Sequence, residues 1–168
     1  MSREDDVLIA IRRIVRAVDL HSKKLMKASG LTSSQRIVLQ TLARNGPATP
    51  SVIAREVSLS QATITVILDR LEQRALISRH RSQTDRRNVV VDINDDGRAC
   101  LAVAPPALQS GFVKAFGELP DWEQQMLIAS LLRIAGLMSA EDVDAAPILD
   151  VGDVGRTGEA GSGSDRPE

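Results

Sequence analysis

Residues 49–76 read TPSVIAREVSLSQATITVILDRLEQRAL. Two short helical patterns lie inside this stretch. Val52, Ile53, Ala54 and Val57 mark the first, and Ile64, Leu68, Leu71 and Ala75 or Leu76 keep core spacing through the second. Thr49-Pro50 supplies an N-cap and a first helical residue: the hydroxyl accepts a backbone amide, and proline lacks the amide that would otherwise be orphaned. The turn between the helices, Ser58-Leu59-Ser60, is three residues long. Two short helices joined this way form a helix-turn-helix.

Downstream the period changes from helical to two. Ile77, Arg79 and Arg81 alternate with Leu76, Ser78 and His80, and later Val89, Val91 and Ile93 alternate with Val90 and Asp92. Between the runs lies the polar, basic stretch Ser82-Gln83-Thr84-Asp85-Arg86-Arg87-Asn88. The pattern predicts a β-hairpin with a long loop, which turns the helix-turn-helix into a winged helix. Upstream, Thr32-Ser33-Ser34-Gln35 is a capping box opening a helix with Val38, Leu39 and Leu42 inward, closed by Asn45-Gly46-Pro47. Val7, Leu8, Ile11, Ile14, Val15, Val18 and Leu25 predict an amphipathic N-terminal helix of about five turns that ends at Ser29-Gly30.

The C-terminal third is also helical by pattern. Asn94-Asp95-Asp96-Gly97 starts a helix reaching Gly117, and Pro105-Pro106 splits it in two. Asp121-Trp122-Glu123-Gln124 reads as a further capping box, followed by Leu127, Leu131, Ile134 and Met138 on one face. The expected fold is mainly α: a winged helix-turn-helix with a small β-hairpin wing and a helical dimerisation region. The expected divisions are an N-terminal dimerisation helix (1–29), the DNA-binding winged helix (30–94), C-terminal dimerisation helices (95–139) and a disordered acidic tail (140–168).

Composition narrows the function. The chain has 168 residues, 43% apolar and 26% charged, an ordinary globular balance. A domain of this length buries roughly 70% of its unfolded surface and needs no staple. One cysteine, Cys100, excludes an internal disulfide, and with two histidines it leaves no ligand set for structural zinc. No apolar run nears the roughly 20 residues of a membrane span. The charged start Met1-Ser2-Arg3-Glu4-Asp5-Asp6 has no signal core behind it, so the expected location is the cytoplasm. His21 and His80 fall in unrelated elements, and no nucleophile, phosphate-loop or metalloprotease motif occurs. No enzyme, cofactor or metal is expected.

Charge is uneven along the chain. The net charge is −1, yet residues 1–29 carry +3, residues 30–94 carry +4, residues 95–139 carry −2 and residues 140–168 carry −6. Arginine, best suited to phosphates and guanine edges, dominates the basic middle. At the hairpin tip, Arg87 can enter a narrow minor groove, where the negative potential is enhanced, with Asp85 holding its guanidinium and Arg86 near phosphate. On the second helix of the motif, Ser60, Gln61, Ala62, Thr63 and Thr65 lie at the N-terminal end, where recognition helices meet base edges. Arg70 and Arg74 follow on the same outward side. A merely solvated face would carry more lysine and glutamate. The rival reading is a winged-helix protein-interaction module without sequence-specific DNA binding, and salt-dependent DNA binding separates the two.

Gly30-Leu31-Thr32-Ser33-Ser34-Gln35, Val57 through Thr65, Leu68-Asp69-Arg70-Leu71-Glu72, Ala75-Leu76-Ile77, Asp85-Arg86-Arg87 and Ile93 through Arg98 together resemble the MarR family of bacterial transcription regulators, the likeness running over residues 7–138. The resemblance implies a homodimeric repressor on a pseudo-palindromic operator, with recognition helices in major grooves and wings in minor grooves. It implies a dimer interface on the first and last helices, for which Val7, Ile11, Ile14, Leu127, Leu131, Ile134 and Met138 are the candidates. It also implies release by a small-molecule effector, bound near His21, Lys24 and Arg36. This chain departs from the common pattern in having arginine at 36 where many members carry an aromatic, in lacking tyrosine, in Pro105-Pro106 and in the acidic tail. Those departures predict an aliphatic, cationic pocket suited to a small carboxylate. Cys100 is expected to be a buried structural thiol.

Overall fold

The computed structural model describes residues 2–81 and 89–140. Helix α1 spans Arg3–Ser29 and α2 Ser33–Asn45. The helix-turn-helix is α3 (Pro50–Glu56) and α4 (Gln61–Gln73), and the wing strands are β1 (Ile77–Arg81) and β2 (Val89–Ile93). Helices α5 (Asp95–Val103), α6 (Leu108–Gly117) and α7 (Asp121–Leu137) complete the described chain. The winged-helix fold and the mainly helical class agree with the sequence reading. Among the described residues, no single helix is long and apolar enough to cross a membrane.

Local chemistry sets most boundaries. Thr32 caps α2 with a reciprocal box: the Gln35 amide donates to Thr32 Oγ1 at 3.3 Å, and the Thr32 amide donates to Gln35 Oε1 at 3.1 Å. Ser2 and Asp5 form a second box at the start of α1, which the sequence reading began later, at Val7. Gly30 ends α1 at φ +66°, a left-handed conformation favouring glycine. The box expected at Asp121 is a correction. Pro120 is the N-cap of α7, no side chain caps it, and Asp121 is already helical. Gln124 instead donates to Leu119 O at 2.8 Å. The pattern D-x-x-Q cannot say which residue leaves helical geometry, and a proline before it is extended at φ −60°, ψ 149°.

The core lies between α2, α3, α4 and the wing. Leu31, Val38, Leu39, Leu42, Ile53, Ile64, Leu68, Leu71 and Val91 are fully buried, with Leu25 of α1 beside them. The strands pair antiparallel, Ile77 opposite Ile93 and Arg79 opposite Val91. Ala48 adds a one-residue bridge to Val91, exchanging hydrogen bonds of 3.0 and 2.9 Å. Gly97 is required where α5 leaves the wing, because a Cβ there would overlap the Leu76 carbonyl oxygen. By contrast, α6 and α7 bury no residue.

Candidate nucleic-acid interface

Helices α3 and α4 cross at 111°, within the usual range for the motif. The turn between them places Ser58 at φ +56°, and the Leu59 amide closes it on Ala54 O at 3.0 Å. Ser60 then caps α4, accepting from the Thr63 amide at 3.1 Å. Its hydroxyl also meets that of Thr63 at 2.8 Å. One side of α4 is fastened to the core by Ile64, Ile67, Leu68 and Leu71. The other side exposes Gln61, Ala62, Thr65, Val66, Arg70 and Gln73, while Thr63 is half-buried. Thr65 donates its hydroxyl to Gln61 O at 2.9 Å, which leaves its oxygen lone pairs free to accept. This surface offers an amide, hydroxyl acceptors and small apolar groups, a set that can read adenine edges and thymine methyls.

A clamp fixes α4 against the wing. Arg79 of β1 donates to Asp69 at 2.6 Å and pairs with Glu72 at 3.4 Å. The guanidinium thereby offsets part of the negative charge of two carboxylates on the helix that would otherwise repel phosphates. Sequence reasoning missed this role, since Arg79 looked like one more basic strand residue. The signal available was two acids three residues apart on one helix face, followed by an arginine on the adjoining strand.

Two predicted site arginines are held by backbone carbonyls elsewhere in the chain. Arg74 is exposed, and its Nη1 donates to Gly30 O at 2.6 Å and its Nη2 to Ser29 O at 3.3 Å, tying the end of α4 to the end of α1. Arg36 is 8% exposed. It donates from Nε to Pro105 O at 2.8 Å and from Nη1 to Gln40 at 2.7 Å, and burial lowers its pKa from the ordinary arginine value. His21 and Arg36 line one narrow cleft with Leu25, Ile37 and Leu108, whose space of about 10 Å³ suits a single water. Lys24 is exposed and is not among the residues lining that cleft. Cys100 is half-buried rather than fully buried, and its thiol donates to Ser29 O at 3.2 Å. Asp85, Arg86 and Arg87 lie outside the described residues, as does the tail from residue 141.

The candidates for subunit contact divide by exposure. Val7, Ile14, Leu131 and Met138 are exposed, and Ile11, Leu127 and Ile134 are half-buried. Around them Trp122, Phe112, Leu132 and Leu137 are exposed too, Leu132 at 68% and Trp122 at 66%.

This fold and surface define a winged-helix DNA-binding transcriptional regulator. The MarR family model matches residues 31–89, the winged-helix part of the chain. It is 29% identical over 127 residues to the uncharacterized HTH-type transcriptional regulator YkoM of Bacillus subtilis, covering 76% of this chain and 82% of that protein. It is 32% identical over 103 residues to the HTH-type transcriptional repressor NicR of Pseudomonas putida, covering 61% and 65%. A solved MepR-like protein, complexed with pseudoligands, superposes with a TM-score of 0.55 at 25% identity, covering 82% of this chain and 97% of that one. These relatives are transcriptional regulators rather than enzymes.

Proposed function

We propose that this protein is a repressor that binds a pseudo-palindromic operator as a homodimer in the bacterial cytoplasm. The observation that carries the reading is the α4 surface: small, polar and exposed at its capped N-terminal end, with its apolar side locked in the core. In this reading Ser60, Gln61, Ala62, Thr63 and Thr65 face the major groove and Arg70 lies near phosphate. Arg87 enters the flanking minor groove, oriented by Asp85 and assisted by Arg86. Residues 30–94 bind DNA. Residues 1–29 and 95–139 dimerise, through the exposed apolar faces of α1, α6 and α7. Two-fold symmetry then sets the recognition helices about 34 Å apart, one turn of DNA.

Effector release belongs to the same reading. The cleft at His21 and Arg36 is cationic and aliphatic, which favours a small carboxylate over a stacked ring. It has to open to admit one. The ligand would compete with the Pro105 carbonyl for Arg36.

The test begins with selection of an operator from a random duplex pool by the full-length protein. Arg87→Ala should weaken binding to that operator by about 1–3 kcal/mol with the fold intact. Gln61→Ala should relax base preference at one position of each half-site. A protein that selects no sequence, and whose DNA binding is the same on every duplex, sinks this reading in favour of the interaction module. An effector whose action survives both His21→Ala and Arg36→Ala sinks the pocket assignment.

A further inference from the structure

The winged-helix body and the arm made of α6 and α7 meet at a break. Neither Pro105 nor Pro106 has an amide hydrogen, so carbonyls of the preceding turn lose their helical donors there. The Ala104 amide turns back to Leu101 O at 3.2 Å, and Ala104 and Ala107 are both extended. Helices α6 and α7 bury no residue, and α6 leans on α1 and α2 only through its first turn, at Leu108 and Gln109. Arg36 reaches the break from α2. Its Nε–H bonds Pro105 O at 2.8 Å, and its Nη1–H bonds Gln40 Oε1 at 2.7 Å, 69 and 4 residues away in sequence. A buried cation is costly unless its donors are placed. This one is placed on a carbonyl in the break itself.

We propose that Arg36 is a positioning residue for operator recognition: its fork of N–H donors latches the α5–α6 break to α2 and so sets the distance between the two recognition helices of the dimer. The inference rests on the dimeric-operator reading above. The lever is long enough to matter. A swing of about 10° at the break moves the far end of a helix of α7's length, about 25 Å at 1.5 Å per residue, by about 4 Å. Two-fold symmetry applies the displacement twice, and successive base pairs are about 3.4 Å apart. A loose latch therefore blurs half-site spacing by about two base pairs without touching a base contact.

The experiment is selection by the full-length protein from duplexes carrying two copies of its half-site with spacers of varied length. Sedimentation checks the oligomeric state, and thermal melting the fold. The wild type should prefer one spacing by about tenfold or more over spacers one base pair longer or shorter. Arg36→Met should remain dimeric and keep the half-site sequence, with the spacing preference falling to about threefold or less. Arg36→Lys keeps the stem and charge, so it guards against a misfolded first variant. It offers a point charge in place of a planar fork and should give an intermediate preference. Wild-type spacing preference in either folded variant overturns the latch while leaving the dimeric-operator reading standing. A wild-type protein that selects single half-sites, or shows no spacing preference, overturns both.

Discussion

The body and the arm solve the problem of burial in opposite ways. Between α2 and β2 most apolar residues are inside: Leu39, Leu42, Ile53, Ile64, Leu68 and Leu71 have no exposure at all. In α6 and α7 none is inside, and Leu131, Leu132, Leu137 and Trp122 are each more than half exposed. Contiguous apolar surface of this kind marks an interaction site. The body stabilises itself, whereas the arm borrows its stability from whatever covers it. That difference matches the division of labour proposed above, in which the body presents α4 to DNA and the arm presents the body to a second copy.

The largest expected effect comes from charging the arm. Leu131→Asp puts an unpaired carboxylate into the proposed interface, which costs about 3–5 kcal/mol at each site if the surface is desolvated there. Sedimentation should change from dimer to monomer at micromolar concentration, and tight operator binding should disappear. The body should still melt cooperatively. A Leu131→Asp protein that stays dimeric breaks the comparison, because the exposed face would then be ordinary surface.

Next in size is a cavity in the body. Leu68 is fully buried on the core side of α4, so Leu68→Ala should cost about 2–5 kcal/mol. The melting midpoint should drop at every protein concentration, and the dimer should persist wherever the fold does. A loss below about 1 kcal/mol would show that the body is less tightly packed than its burial implies.

A smaller effect is expected at the seam between recognition helix and wing. Arg79→Met removes both ion pairs while keeping the stem. Its partners Asp69 and Glu72 are 47% and 42% exposed, so solvent screening limits the cost to about 1 kcal/mol of stability. DNA should report more than stability does, because the negative charges of Asp69 and Glu72 are left without their cation near phosphate. Asp69→Asn should then recover part of the lost affinity in the Arg79→Met background. No recovery would mean that the clamp is structural alone.

These residues also mark what could be read from sequence. The caps at Thr32 and Thr49 and the break at Pro105-Pro106 were legible because each depends on neighbours within about four positions. The exposed face of α4 was legible from its period. Arg36, Arg74 and Arg79 were not, because their partners lie 69, 44 and 10 residues away. An arginine in a basic region reads as a phosphate contact until the fold supplies a carbonyl or carboxylate to occupy it. Arg74 and Arg36 bond backbone carbonyls, and no sequence pattern encodes those. The α1 face needed only periodicity to be seen as amphipathic, but its helix begins at Arg3 because Ser2 and Asp5 cap it.

The smallest effect should come from the acidic C-terminal segment, which follows α7 and so is carried by the arm. Residues 140–168 hold a net charge of −6, and the protein without them would carry +5. Charge of that sign near a basic surface competes with phosphates and lowers non-specific affinity through ordinary electrostatics. A protein ending at Ser139 should therefore bind random duplex about two- to fivefold more tightly at low salt, an order-of-magnitude expectation for a screened surface field. Operator binding should change less, because base contacts add a part that the tail does not oppose. Both differences should fade as salt rises, since exposed charges are screened beyond about 8 Å at physiological ionic strength. Melting temperature and dimerisation should stay as they are, because the buried core cluster lies within residues 25–93 and the apolar face of the arm on α6 and α7. Filter binding on random and operator duplexes across a salt series, run beside a melting curve of the shortened protein, decides it. A shortened protein that loses its fold would mean that the segment covers part of the arm, and the exposed face of α7 would then have an occupant within its own chain.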